Sequence, residues 1–353
     1  MKMRKIAFLA LLLMAVAAVA APLKNMPVKV VQPSGDTLYC LASGDEYYHY
    51  MHDAQGYVIV QDEVTGYYVY ARLNEKGRVV PTPHVAGMCV PAELGLVPGI
   101  MPSKEYLQEC RSAYEIPQKY AKNGPKRLGN PMSVVNNIVI FIRFSDEGRI
   151  PNSFHSVDSM FNDTAANAVS VHNYFKSSSY GLLESYSYFT PAAIGDSIVS
   201  YKALHPRRYY EPYSSQNPDG YVGDNDRRAR EFTLLQNAVQ WVNSNAGVDR
   251  SINLDVNNDG YIDNVTFVLS GTYTGWSGLL WPHQWSLYDR TVMINGKRVW
   301  TYNLQLAGSG DHYFGASTFC HEMTHSLGCP DVYHYEDWTN VSPAGSWDLM
   351  CGN

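Results

Sequence analysis

His321 and His325 stand four residues apart, with Glu322 between them, in the run His321-Glu322-Met323-Thr324-His325. On an α-helix, positions i and i+4 share one face, so both imidazoles can reach a common ion about 2 Å from each nitrogen. Glu322 projects roughly a quarter turn away, where a carboxylate reaches a water held by that ion without binding the ion itself. Zn²⁺ is the expected ion, because it lowers the pKa of its water toward neutrality. With Glu322 as general base, the resulting hydroxide could attack a peptide carbonyl without a covalent intermediate.

A catalytic zinc usually takes three protein donors and a water, so a third ligand is needed. Gly328 permits the left-handed turn that ends a helix, and Pro330 prevents its continuation. The returning chain carries Asp331 toward the histidines, which makes it the expected third ligand, with Glu336 in reserve. A bare HExxH also occurs on solvated surface helices, and Gly-x-Pro-Asp is also an ordinary turn. The full spacing HExxHxxGxxD resembles the metzincin pattern, with aspartate where histidine is commoner. Ser346-Trp347-Asp348-Leu349-Met350 is similar to the tight turn whose methionine underlies the zinc in that group, and this gives Met350 the role of an apolar floor. The wording around both motifs, Leu327 to Tyr333 and Trp347 to Met350, resembles the M6 peptidases, the immune inhibitor A family of secreted bacterial metalloproteases.

The elements that must position these groups begin with a leader. Met1-Lys2-Met3-Arg4-Lys5 is basic, Ile6 to Ala21 is apolar, and Ala18-Val19-Ala20 offers a small-residue cleavage site. Residues 1–20 therefore read as a signal peptide, which places the protein outside the cell; no second run of that kind suggests a membrane anchor. About 330 residues remain, enough for two cores. A formal net charge of −6 provides no basic surface for nucleic acid, and the resemblance to metalloproteases implies protein or peptide substrates as partners. Six cysteines after a signal peptide permit disulfides in connectivities among which the sequence does not choose; Cys329 with Cys351 is a more plausible pair than Cys320 with Cys329.

Residues 21–125 read as a β-rich domain. Apolar and aromatic runs at Val28–Val31, Thr37–Leu41, Tyr47–Met51, Tyr57–Gln61 and Tyr67–Ala71 alternate with Gly/Asp-rich turns, the mark of an antiparallel meander. His49 and His52 read as strand surface residues. Such a domain fits either a pro-segment or a binding module that stays, and its place resembles that of the M6 pro-segment. Lys104 to Lys122 is helix-like, and Asn123 to Pro131 has the composition of an exposed linker in which Lys126-Arg127 suits proteolysis. A thiolate from Cys40, Cys89 or Cys110 could hold the zinc silent, although a disulfide or a buried thiol is the commoner role for such residues.

Residues 126–353 read as the catalytic domain, of mixed α+β or α/β class. Ile138 to Phe144 is a continuous apolar run expected as a buried strand, followed by a helix over Ser156–Ser177, a strand over Leu183–Phe189 and an amphipathic helix over Arg227–Asn245. Asp255, Asn257, Asp259 and Asp263, with Gly260 at the sharp turn and Tyr261 offering its carbonyl, match most of a calcium-binding loop. The twelfth position is Thr266 and not glutamate, so the guest would be a structural Ca²⁺; the bland alternative is an Asx-rich turn. His283 reads as a packed histidine. Trp300–Leu306 reads as a strand, and by resemblance to metzincins the strand ahead of the zinc helix would take extended substrate. The same resemblance implies a catalytic domain that continues past Asn353, so this one is read as incomplete.

The expectation is therefore a secreted zinc endopeptidase made as a zymogen, with a metzincin-like catalytic domain. The rival from another class is a calcium-stabilised secreted binding or adhesion protein whose zinc site is vestigial.

Overall fold

A computed structural model of the chain describes residues 23–125, 133–272, 279–308, 315–335 and 343–351. The leader, the Lys126-Arg127 link and Glu336 lie outside these. The first layer is a six-stranded antiparallel meander in sequence order: β1 (Leu23–Val31), β2 (Thr37–Gly44), β3 (His49–His52), β4 (Val58–Gln61), β5 (Tyr68–Leu73) and β6 (Val79–Val85). Its core holds Val28, Val30, Met51, Ile59 and Tyr70. β6 was not foreseen, because Pro81 and Pro83 make its sequence read as non-strand; it is a sheet-edge strand, where a missing N–H can face away from the ladder.

Pro117 divides the expected long helix into α1 (Lys104–Ser112) and α2 (Gln118–Ala121). The second sheet is mixed. Its order is β11 (His283–Ser286), β14 (Thr301–Leu306), β10 (Asn264–Leu269), β7 (Val134–Arg143) and β8 (Glu184–Phe189), with β9 (Tyr201–Lys202) also on β7. All pairs are parallel except β11 with β14. A small hairpin, β12 (Met293–Ile294) with β13 (Lys297–Arg298), stands apart.

Why β7 is apolar from Ile138 to Ile142 follows from its place inside the sheet. Ile138, Ile140 and Ile142 face a core shared with Phe232, Leu235 and Val239 of α5 (Gly223–Asn245). Val139 and Phe141 face the opposite core, shared with Val157 and Phe161 of α3 (Phe154–Asn162), Phe175 of α4 (Val171–Ser178) and Phe319 and Met323 of α6 (Ala316–Ser326). Covered on both faces, the strand loses the alternation of a half-exposed one. The single helix expected over Ser156–Ser177 is two, because Ser170 turns extended and its hydroxyl accepts from Asn173 N–H, starting α4 afresh.

The overall class is thus mixed α+β, with an antiparallel sheet followed by a mixed one. Among the described residues, no helix is long and apolar enough to cross a membrane. Phe319 anchors α6 to the sheet, fully buried with its ring 4.4 Å from that of Phe161. Phe319→Ala is expected to cost about 3–5 kcal/mol of stability, read as a lowered denaturant midpoint at unchanged slope.

Candidate metal centre

α6 presents the two histidines as the four-residue spacing requires, and it stops where Gly328, at φ +100°, donates its N–H back to the His325 carbonyl at 2.8 Å. The chain then returns, and Asp331 arrives at the imidazoles. Asp331 Oδ1 is 3.0 Å from His321 Nε2 and 3.3 Å from His325 Nε2, and the two Nε2 atoms are 3.1 Å apart. Donors about 2.0–2.1 Å from a tetrahedral ion stand roughly 3.3 Å from one another, so this triangle has the size of three ligands on one zinc-like ion.

The proton inventory points the same way. His321 Nδ1 donates to the Leu349 carbonyl and His325 Nδ1 to the Cys329 carbonyl, both at 2.8 Å. A carbonyl can only accept, so in the neutral tautomer both Nε2 atoms carry lone pairs. Asp331 Oδ1 is buried and accepts no hydrogen bond of good geometry among the described residues. Three electron-pair donors converging in a buried spot repel unless a cation lies between them. Among the described residues these three are the group whose donor atoms all lie within 4.8 Å.

Electrostatics around the triad are severe. In the alternative metal-free state with protonated imidazoles, burial opposes ionisation of Asp331, yet the hydrogen bonds and charge of the two rings outweigh it and hold its carboxyl well below the usual carboxylate range. The other oxygen, Oδ2, accepts from the Tyr335 hydroxyl at 2.6 Å. Glu322 is buried one residue beyond His321 and is not part of the triad. Burial first, then the charge of Asp331, raises its carboxyl well above the usual range, while the Gln284 backbone N–H of β11 opposes this.

α6 is itself fixed by an amide ladder across the sheet. Asn264 of β10 donates to Asn137 of β7 at 2.9 Å and to Asn303 of β14 at 2.7 Å. Asn303 in turn donates to the Glu322 carbonyl at 2.8 Å. These buried amides tie three strands to the turn that carries the triad. Met350 is buried in a tight turn closed by Asp348 Oδ1 accepting from Met350 N–H at 2.8 Å, and Met350 O accepts from Val332 N–H at 2.8 Å. The turn therefore meets both His321, through Leu349, and the segment after Asp331.

Several expectations are corrected. All six cysteines are free, so Cys329 and Cys351 are not bonded. Cys40 packs in the core of the first sheet against Met51, and Cys89 against the Val85 carbonyl, so neither reaches the triad. The strand ahead of α6, β14, is paired on both sides and has no free edge; the edge strand is β11. Strand order is a tertiary property that adjacency in sequence does not reveal. His52 is buried, with its ring joined to Ser43 Oγ at 2.8 Å, and His49 stacks on Trp281 at 4.4 Å, so neither is a surface residue. His283 is packed as expected, between Glu231 at 2.9 Å and the Trp281 carbonyl at 2.7 Å.

In the Asp255 loop, Asp255 accepts from the Asp259 and Gly260 N–H groups at 2.9 and 3.0 Å, and Tyr261 N–H donates to Asp259 at 3.0 Å. Asn257 donates to Asp259 Oδ2 at 3.1 Å, and Asp263 accepts from Val256 N–H at 3.0 Å. Burial, with the neighbouring charges of Asp255 and Asp259, pushes the Asp263 carboxyl up to about 7. The Lys297 ammonium lies 2.5 Å from Asp255 Oδ2.

Sequence reading missed Tyr335, whose role needs the fold, and the Asp45–Tyr48 turn of the first sheet, described below. No family profile matches this sequence, and no characterised protein matches it either. Tyr335→Phe removes the hydrogen bond that aims Asp331 and is expected to weaken divalent-metal binding by about tenfold, measured by competition with a chelator.

Proposed function

We propose that the chain is a secreted zinc endopeptidase made in a latent form, with the sheet of residues 23–85 and the helices after it as the covering segment. The observation that carries this reading is the convergence of two lone-pair nitrogens and one buried carboxylate oxygen beside Glu322 on α6. The likeness of HExxHxxGxxD and the Met350 turn to metzincins, and of the surrounding words to M6 peptidases, supports it further.

Zn²⁺ bound by His321, His325 and Asp331 would supply Lewis-acid polarisation of water and of a peptide carbonyl. The rest is done by side chains. Leu349 and Cys329 carbonyls aim the imidazoles, and Tyr335 aims Asp331. Glu322, buried beside the triad, takes a proton from the attacking water and returns it to the leaving amine. An extended peptide can pair along the free edge of β11, which lies beside Glu322 through Gln284. In the present state that edge is crowded by the covering segment: Trp285 Nε1 donates to the Tyr114 carbonyl at 2.8 Å, and His49 stacks on Trp281. Hydrolysis therefore requires that segment to leave.

After removal of the segment, Glu322→Ala is expected to lower casein hydrolysis by about 10²–10⁴-fold while zinc content stays unchanged. His325→Ala is expected to lose both. Hydrolysis at the parental rate in Glu322→Ala would overturn the assignment.

Ca²⁺ is the proposed guest of Asp255, Asn257, Asp259, Asp263 and the Tyr261 carbonyl. The spacing of these residues, and the cation of Lys297 already drawn to Asp255, support it. Millimolar Ca²⁺ is expected to raise the melting temperature, by mass action on the folded state, and Asp259→Ala to erase the rise. A flat response in the parent means that the loop is an ion-free turn closed by Lys297.

A further inference from the structure

Tyr114 stands in the turn after α1 and packs against the edge of the second sheet. Its ring lies 5.0 Å from that of Trp285 and 6.2 Å from that of His283, both on β11. Its hydroxyl accepts from Arg227 Nη1 of α5, whose guanidinium lies 4.5 Å from the ring centre. The main chain is held too, because Trp285 Nε1 donates to the Tyr114 carbonyl at 2.8 Å. Ring, hydroxyl and carbonyl of one residue are each met by a separate group.

The groups that meet it form a slot with aromatic walls and a charged floor. Arg227 is only 3% exposed, although a guanidinium is costly to bury. One turn further along α5, Glu231 is fully buried with its Oε1 2.9 Å from His283 Nε2, and the Tyr302 hydroxyl donates to the same oxygen. Phe232 and Trp285 close one side, with ring centres 5.1 Å apart. From outside, the Tyr47 ring meets Tyr114 at 5.4 Å, in a turn that Asp45 fixes by accepting from Tyr47 and Tyr48 N–H at 2.9 and 2.8 Å. Tyr47 and Tyr114 belong to the covering segment; Arg227, Glu231, His283 and Trp285 do not. When the segment leaves, the slot stays.

The register of β11 relates this slot to α6. Gln284 stands opposite Asn303, which bonds the Glu322 carbonyl, whereas Trp285 stands opposite Tyr302, in the core beneath α5. A peptide laid along the outer edge of β11 alternates its side chains likewise, one toward the α6 face and the next toward the α5 face. We infer that the seat of Tyr114 is a side-chain slot of the substrate site, that it selects a tyrosyl residue, and that Tyr114 occupies it in place of substrate. This rests on the peptidase reading above and names its substrate class. Trp285 takes the tyrosyl carbonyl and Arg227 the hydroxyl. Phenylalanine fills the slot without giving Arg227 Nη1 that acceptor, so it is the informative competitor.

The full chain tests the slot without catalysis. Tyr114→Gly deletes the side chain, and p-cresol, which has the atoms of that side chain, is expected to bind the variant about tenfold or more tighter than toluene by calorimetry. The active protein tests the selection, through kcat/KM for peptides identical except for one tyrosine or phenylalanine. Tyrosine is expected to be favoured about tenfold or more, and Arg227→Met to bring the two together while cleavage continues. Equal affinities for p-cresol and toluene would overturn the slot, and equal kcat/KM for the two peptides would overturn the selection while leaving the peptidase reading intact. Absence of any cleavage by the zinc-loaded protein would overturn both.

Discussion

Three electron-pair donors held about 3 Å apart in a buried spot form the constraint on which the rest of the structure depends. Each is pinned from behind: His321 by the Leu349 carbonyl, His325 by the Cys329 carbonyl, and Asp331 by the Tyr335 hydroxyl. The molecule spends considerable electrostatic strain on this point. Burial raises Glu322 and Asp45, the latter to about 7, while the imidazoles hold Asp331 low. Such opposed shifts among neighbouring acids are what a site for proton transfer requires.

The scaffold that holds the point is stiff because it is dry on both sides. Sheet residues alternate between two apolar cores, and the asparagine ladder Asn137–Asn264–Asn303 converts strand register into the placement of α6. A buried amide that is satisfied fixes position more strictly than an aliphatic contact, because slipping it would strand a polar group. Another buried polar knot, Glu231 with His283, plays the same part beneath β11, on the far side of the proposed substrate edge.

The first sheet acquires meaning only through what its tip touches. As a meander it is unremarkable in its pairing, and its own core is small. Yet the aromatic contacts of Tyr47 and His49, the cation of Arg111 over Tyr335 and the Trp285 bond to Tyr114 bring this sheet and the following helices onto the same few residues that frame the triad. A sheet that contacts the ligand-bearing loop itself, rather than a remote surface, is joined directly to the site.

The sequence by itself determined whatever is local: a helix with the two histidines one turn apart, a glycine that must end it, five strands of the meander, and an interior strand apolar from Ile138 to Ile142. Helical period, left-handed φ and burial on both faces each leave a mark within a few residues of chain. Strand order was decided only by the tertiary structure, which among the described residues makes β11 rather than β14 the edge strand, and so was the arrival of Tyr335 at Asp331. Tyr47 meets Tyr335 from 288 positions earlier in the chain, and a lone tyrosine in a turn has no period, cap or spacing to distinguish it. Its role comes from the packing of one sheet against another, a long-range property that no neighbouring residue encodes.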